Sequence, residues 1–103
     1  MKYARAARFI ADLRRLSLAE RRLFREVVVE PFVPAAELIA ADPGASWPKG
    51  LRVKRMRGAP GVWEMTWSFA GPDGRATFEW MTIGEEPAIR WRRVGGHAIF
   101  VEP

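Results

Sequence analysis

Cysteine is absent from the chain, which removes disulfides and thiolate metal sites from consideration. Histidine occurs once, at His97, and a zinc site draws on several nitrogen or sulfur ligands, so neither a metal nor any other cofactor is expected. No apolar run approaches the length of a membrane span. The opening "MKYARAARFIADLRR" is interrupted by charge throughout and does not read as a secretory leader. Together these absences make a soluble cytoplasmic protein, without membrane contact, the expectation. Lysine is scarce as well, confined to Lys2, Lys49 and Lys54, so arginine supplies most of the 17 basic residues.

What is present is ample for a core. Of 103 residues, 49% are hydrophobic, with 5 Trp and 6 Phe, which suits one compact domain over residues 1–103 and is too apolar for a disordered chain. The net charge is +5. Because guanidinium grips phosphate with two parallel donors and stacks on bases, an arginine-rich domain points to nucleic acid or to an acidic protein partner. A GC-rich coding sequence would produce the same arginine and alanine excess without any function, and composition alone does not separate the two.

Periodicity divides the chain in two. Tyr3, Ala6, Ala7, Ile10, Leu13 and Leu16 recur at helical spacing from Met1 to about Leu16. "SLAE", Ser17 to Glu20, is a capping-box pattern that starts a second helix with Leu18, Leu23, Phe24, Val27 and Val28 on its apolar face. Pro31 and Pro34 are expected to interrupt it, and "AAELIAAD" forms one more short helical segment. "PGASWPKG" is the boundary. Beyond it the period is two: Leu51 and Val53 against Arg52 and Lys54, then Trp63, Met65, Trp67 and Phe69 against Glu64, Thr66 and Ser68. After a turn at Pro72, Asp73 and Gly74, Ala76, Phe78 and Trp80 alternate with Arg75, Thr77 and Glu79. "GEEP" turns into "AIRWRRV", with Ile89 and Trp91 inward and Arg90 and Arg92 outward, and "HAIFV" reads as a last short strand. The pattern predicts an α+β fold in which an N-terminal helical hairpin packs on one face of a four- to five-stranded antiparallel sheet. Helices fall over about residues 2–42 and strands over about 51–101.

In this layout the tryptophans lie under the helices, and the opposite sheet face gathers Lys54, Arg75, Arg90 and Arg92, with His97 at its edge. Such a group suits RNA cleavage by the substrate's own 2′-OH. That reaction needs a base for the hydroxyl, an acid for the leaving 5′-oxygen and cations for the phosphorane. Arginine supplies directed cationic donors, imidazole titrates near neutral pH and can serve either proton step, and Glu64 or Glu79 could hold or assist it. The same residues also fit cross-strand Arg–Glu ion pairs on a solvated sheet and a histidine that only closes a turn.

The order of these segments resembles the RelE/ParE superfamily of type II toxin–antitoxin toxins. "KRMRGAPGVWEM" is similar to the family's Lys/Arg-x-Leu-Arg-Gly strand followed by an aromatic residue, with Met56 in place of leucine. "DGRATFEW" is similar to its Gly-x-Arg-hydrophobic-x-aromatic strand, and "RVGGHAIF" to its closing Gly-rich turn before a hydrophobic strand. The resemblance covers essentially the whole chain, each motif is degenerate, and their order and spacing carry it. It implies a metal-independent endoribonuclease acting on mRNA at the ribosome and neutralised by an antitoxin in a hetero-oligomer. It places Arg75 on the family's transition-state arginine and His97 where members carry a catalytic histidine or arginine. Arg90, Arg92 and Glu64 would assist, and Lys54, Arg55 and Arg57 would bind RNA. Phe100 departs from the family pattern, since many active members have tyrosine there. The ParE branch shares the fold, inhibits gyrase without the catalytic set, and stands as the alternative, beside a degenerate module that binds nucleic acid or antitoxin.

Overall fold

A computed structural model describes residues 1–67 and 73–103, so the expectations for Ser68, Phe69 and Pro72 lie outside the described residues. The chain begins with a strand where the sequence predicts helix. Lys2–Arg5 forms β1, and helix α1 runs only from Ala7 to Arg15. Four residues are too few to display a period of two, and Tyr3 and Ala6 fit helical spacing by chance. The later start also rotates the buried side of α1, which carries Phe9 and Asp12 rather than Ala7 and Ile10.

Helix α2, Leu18–Val27, starts as the capping box predicts. Glu20 N–H donates to Ser17 Oγ at 3.1 Å, and Ser17 N–H donates to Glu20 Oε1 at 2.8 Å. The Ser17 hydrogen bonds hold the Glu20 carboxyl below the ordinary carboxylate range. Its contribution is therefore present above that ordinary range and is lost as pH falls through the lowered value. Ser17→Ala should cost about 1 kcal/mol in chemical denaturation. Only Phe24 and Val27 of the expected apolar face are buried; Leu18 and Leu23 are exposed.

Pro31 does not break the helix. The chain widens into a π turn at Val28–Phe32, closed by Val33 N–H on Val28 O, and continues as α3, Val33–Ala41. A wider turn gives the ring room and needs no donor from the proline nitrogen, while Pro34 sits in the first turn of α3 where its missing N–H costs nothing. The Pro/Gly segment that follows is pinned by Trp47, which stacks on Phe32 with ring centroids 5.2 Å apart.

The remaining strands are β2 (Lys54–Arg55), β3 (Trp63–Thr66), β4 (Arg75–Ile83) and β5 (Glu86–Gly95). The sheet order is β1-β5-β4-β3-β2, with antiparallel pairing everywhere except β1, which lies parallel to β5. The sheet is thus mixed, correcting the expected antiparallel arrangement. The β4–β5 hairpin closes through Gly84 and Glu85, both at positive φ, as the primed two-residue turns require. "HAIFV" is a 3-10 turn, His97–Val101, instead of a strand.

The helices cover one sheet face. Phe9 of α1, Leu16 just beyond its end, Phe24 and Val27 of α2, Phe32 and Ala36 pack on Met65, Trp67, Phe78, Ile89, Trp91 and Val94. Trp63 and Trp80 flank this core half-buried, so the tryptophan-bearing face is the covered one, as alternation predicts.

Candidate functional site

The uncovered face is ordered by register. Lys54 pairs with Glu64, Glu64 with Thr77, and Thr77 with Arg93, giving one row from β2 to β5. A bulge between Thr77 and Phe78 follows, because Phe78 pairs with Trp91 and leaves Arg92 as the extra residue. Strict alternation would send Arg93 into the core and Val94 out. The bulge reverses this, burying Val94 and turning Arg92 and Arg93 to the polar side.

Arg75 opens β4 opposite Gly95, and His97 follows two residues beyond Gly95, so both stand at the same end of the sheet. The Arg75 side chain is largely covered and reaches Gly74 O at 3.3 Å and Asp73 Oδ2 at 3.4 Å. Asp73 also faces Arg52 at 3.9 Å. The His97 ring is exposed and meets Phe100 edge-on at 5.0 Å. Among the described residues no hydrogen bond or ion pair joins Arg75 to His97.

Gly74 fixes how Arg75 enters the strand. A side chain there would meet the Trp67 indole at 2.3 Å, and that indole donates from Nε1 to Arg75 O at 2.8 Å. The glycine of "DGR" is therefore needed for close approach of a buried ring, beyond its part in the turn.

The other expected site residues divide. Arg90 and Arg92 both donate to Glu79, at 2.9 and 3.0 Å, so their charge is shared with a carboxylate on the next strand. Glu64 is mostly buried beside Lys54 Nζ at 3.6 Å, while Lys54 itself is exposed. Arg55 lies over the Trp63 ring at 5.3 Å, and Arg57 is exposed in the turn after β2. Thr77, expected in solvent, is fully buried because Pro103 folds over it and accepts from Oγ1 at 2.9 Å.

Sequence reasoning missed Arg8, Asp12, Arg93 and Glu102. Asp12 accepts from Arg93 Nε at 2.6 Å, from Arg93 Nη2 at 3.1 Å and from Val94 N–H at 3.2 Å. It thereby caps the stretch of β5 beyond the end of β1. The hydrogen bond to Asp12 also raises the Arg93 pKa further above its ordinary value. The available signal was Asp12 itself, an acid at i+3 from Phe9 and i−4 from Leu16 on a buried helix side.

Comparison with solved structures settles the architecture. E. coli RelE in the free state, in a form with two arginines replaced by alanine, superposes with a TM-score of 0.58 at 15% identity, covering 98% of this chain and 90% of that one. This chain has the RelE/ParE toxin fold. The intact E. coli RelBE toxin–antitoxin complex gives a TM-score of 0.55 at 16% identity over 92% of this chain and 94% of that one. A YoeB/ParE toxin from Agrobacterium tumefaciens gives 0.56 at 15% over 94% and 99%. No family model matches the sequence, and no curated protein matches it significantly. The end of the sheet at which Arg75 and His97 stand is the candidate functional surface, and among the described residues no helix is long and apolar enough to cross a membrane.

Proposed function

We propose that the protein is the toxin of a toxin–antitoxin pair and acts as an endoribonuclease on mRNA at the ribosome. The observation that carries the reading is that Arg75 and the exposed His97 stand at the same end of the sheet in a RelE/ParE fold. In this mechanism the 2′-oxygen attacks phosphorus, its proton passes to a base, and the P–O5′ bond breaks as an acid protonates the leaving oxygen. The products are a 2′,3′-cyclic phosphate and a 5′-hydroxyl. His97 takes one proton step, and Glu64 is the candidate for the other. Arg75 stabilises the phosphorane, with Arg90 and Arg92 contributing what Glu79 leaves of their charge. Lys54, Arg55 and Arg57 position the strand, Arg55 with its guanidinium already over an indole.

The antitoxin reading has its own support. A groove of about 600 Å³ runs beside β1, walled by Phe24, Val29 and Val33 and rimmed by Arg5, Arg21 and Arg25. The outer edge of β1 pairs with no strand among the described residues. An acidic amphipathic segment of an antitoxin matches both the apolar wall and the cationic rim.

Primer extension on mRNA after induced expression tests the reading. Discrete 5′ ends are expected, and His97→Ala should lower cleavage by about 100-fold with the fold retained. Undiminished cleavage by both His97→Ala and Arg75→Ala would remove the enzyme assignment. Phe100, which offers no hydroxyl, and the Glu79-bound arginines favour a second reading as a gyrase inhibitor. Intact mRNA together with DNA-damage signalling would identify it.

A further inference from the structure

Four arginines line one shallow cavity of about 270 Å³: Arg8 from the first turn of α1, and Arg90, Arg92 and Arg93 from β5. Two carboxylates of the folded framework offset them, Glu79 for Arg90 and Arg92, and Asp12 for Arg93. Further donors of Arg8, Arg92 and Arg93 meet two consecutive residues that double back after the 3-10 turn. Arg8 Nη2 lies 2.7 Å from a Glu102 carboxylate oxygen, and Arg93 Nη1 donates to Glu102 O at 2.8 Å. Arg92 Nε and Thr77 Oγ1 both donate to Pro103 O, at 3.2 and 2.9 Å. Donors from four side chains thus aim at three clustered oxygens, an arrangement suited to an oxyanion with several acceptor atoms.

We propose that this cavity is a phosphate-binding subsite for the RNA backbone, and that Glu102 and Pro103 occupy it as an internal stand-in which the ligand displaces. The inference rests on the ribonuclease reading for the identity of the ligand. Thr77 lies two residues along β4 from Arg75 on the same face, roughly 7 Å away, so the cavity continues the surface on which cleavage is placed. Arg8 and Glu102 are both more than half exposed, and ion pairs of that kind hold weakly. With the two residues withdrawn, four guanidiniums face two carboxylates, and the excess positive charge suits a phosphodiester. Arg8 is a binding residue by this account, outside the cleavage machinery.

The test uses the full chain and a 2′-O-methyl oligouridine, which cannot be cleaved by 2′-OH attack, with affinity read by fluorescence anisotropy at several salt concentrations. A chain ending at Val101 should bind about three- to tenfold more tightly, and Glu102→Gln should give a smaller gain in the same direction. Arg8→Ala in the shortened chain should cancel the gain and reduce the salt slope by about 0.7, the loss of one phosphate contact on a single strand. Glu26→Gln, an equal charge change on the exposed side of α2, serves as the control. Equal affinities of the full and shortened chains overturn the proposal if Glu102→Gln is also without effect. So does an equal gain from Glu26→Gln, or indifference of the shortened chain to Arg8→Ala. Tightening on removal of the two residues, in a protein that leaves mRNA intact, upholds the subsite and rejects the nuclease. Cleavage with unchanged affinities rejects the subsite alone.

Discussion

Arg93→Ala should destabilise the protein by about 3–5 kcal/mol, because it leaves Asp12 buried without its counter-charge. The side chains of Asp12 and Arg93 are 8% and 13% exposed, and two hydrogen bonds join them. The carboxylate also receives Val94 N–H, the donor that β1 is too short to satisfy. Removing the cation therefore strands a desolvated anion at the seam between α1 and the sheet. Urea denaturation should show the midpoint falling with an unchanged slope. The double variant Asp12→Ala/Arg93→Ala should be less destabilised than the sum of its parts, with a coupling energy of up to about 3 kcal/mol. A loss below about 1 kcal/mol for Arg93→Ala would mean that the pair is solvated and holds little.

Trp91→Ala carries an expected loss of similar size, about 3–5 kcal/mol, from a different cause. Trp91 is 5% exposed and touches four other rings: Phe9, Phe24, Phe32 and Phe78, with centroids 4.9–6.0 Å away. These neighbours come from α1, α2, the π turn and β4, so truncation opens a cavity where every layer meets, and rings that also pack on one another, Phe9 on Phe24 and Phe32 on Phe78, cannot collapse into it without losing their own contacts. Thermal unfolding should shift downward by more than about 10 °C. Trp91→Phe should recover a large part of the loss, since it restores a ring. If both substitutions proved equally mild, this aromatic cluster would not be the centre of the core.

The sequence reported the long strands and the helix start well for identifiable reasons. Nine- and ten-residue strands repeat their alternation often enough to be unmistakable, and Ser17 and Glu20 act within one turn of backbone. Lys2–Arg5 and His97–Val101 are too short to declare a period, so sequence spacing gives the first as helix and the second as strand. Proline's usual effect at Pro31 is a helix break, and nothing local in "VVVEPFVP" announces a π turn. On the candidate site, alternation placed Arg75, Arg90 and Arg92 on the polar face. It could not foresee that Glu79 would bind two of them, nor that a bulge would bring Arg93 alongside. The Asp12–Arg93 pair and the cover over Thr77 join residues far apart in sequence, and such contacts leave no trace in spacing.

The parallel strand has one further consequence, for the order of folding. Tyr3 takes its place only beside Ile89, so β1 must wait for a strand far downstream before its hydrogen bonds can close. High contact order of this kind slows folding. A nascent chain on the ribosome would hold β1 unsatisfied until β5 emerges, and interruption of synthesis before that point would leave an incomplete sheet.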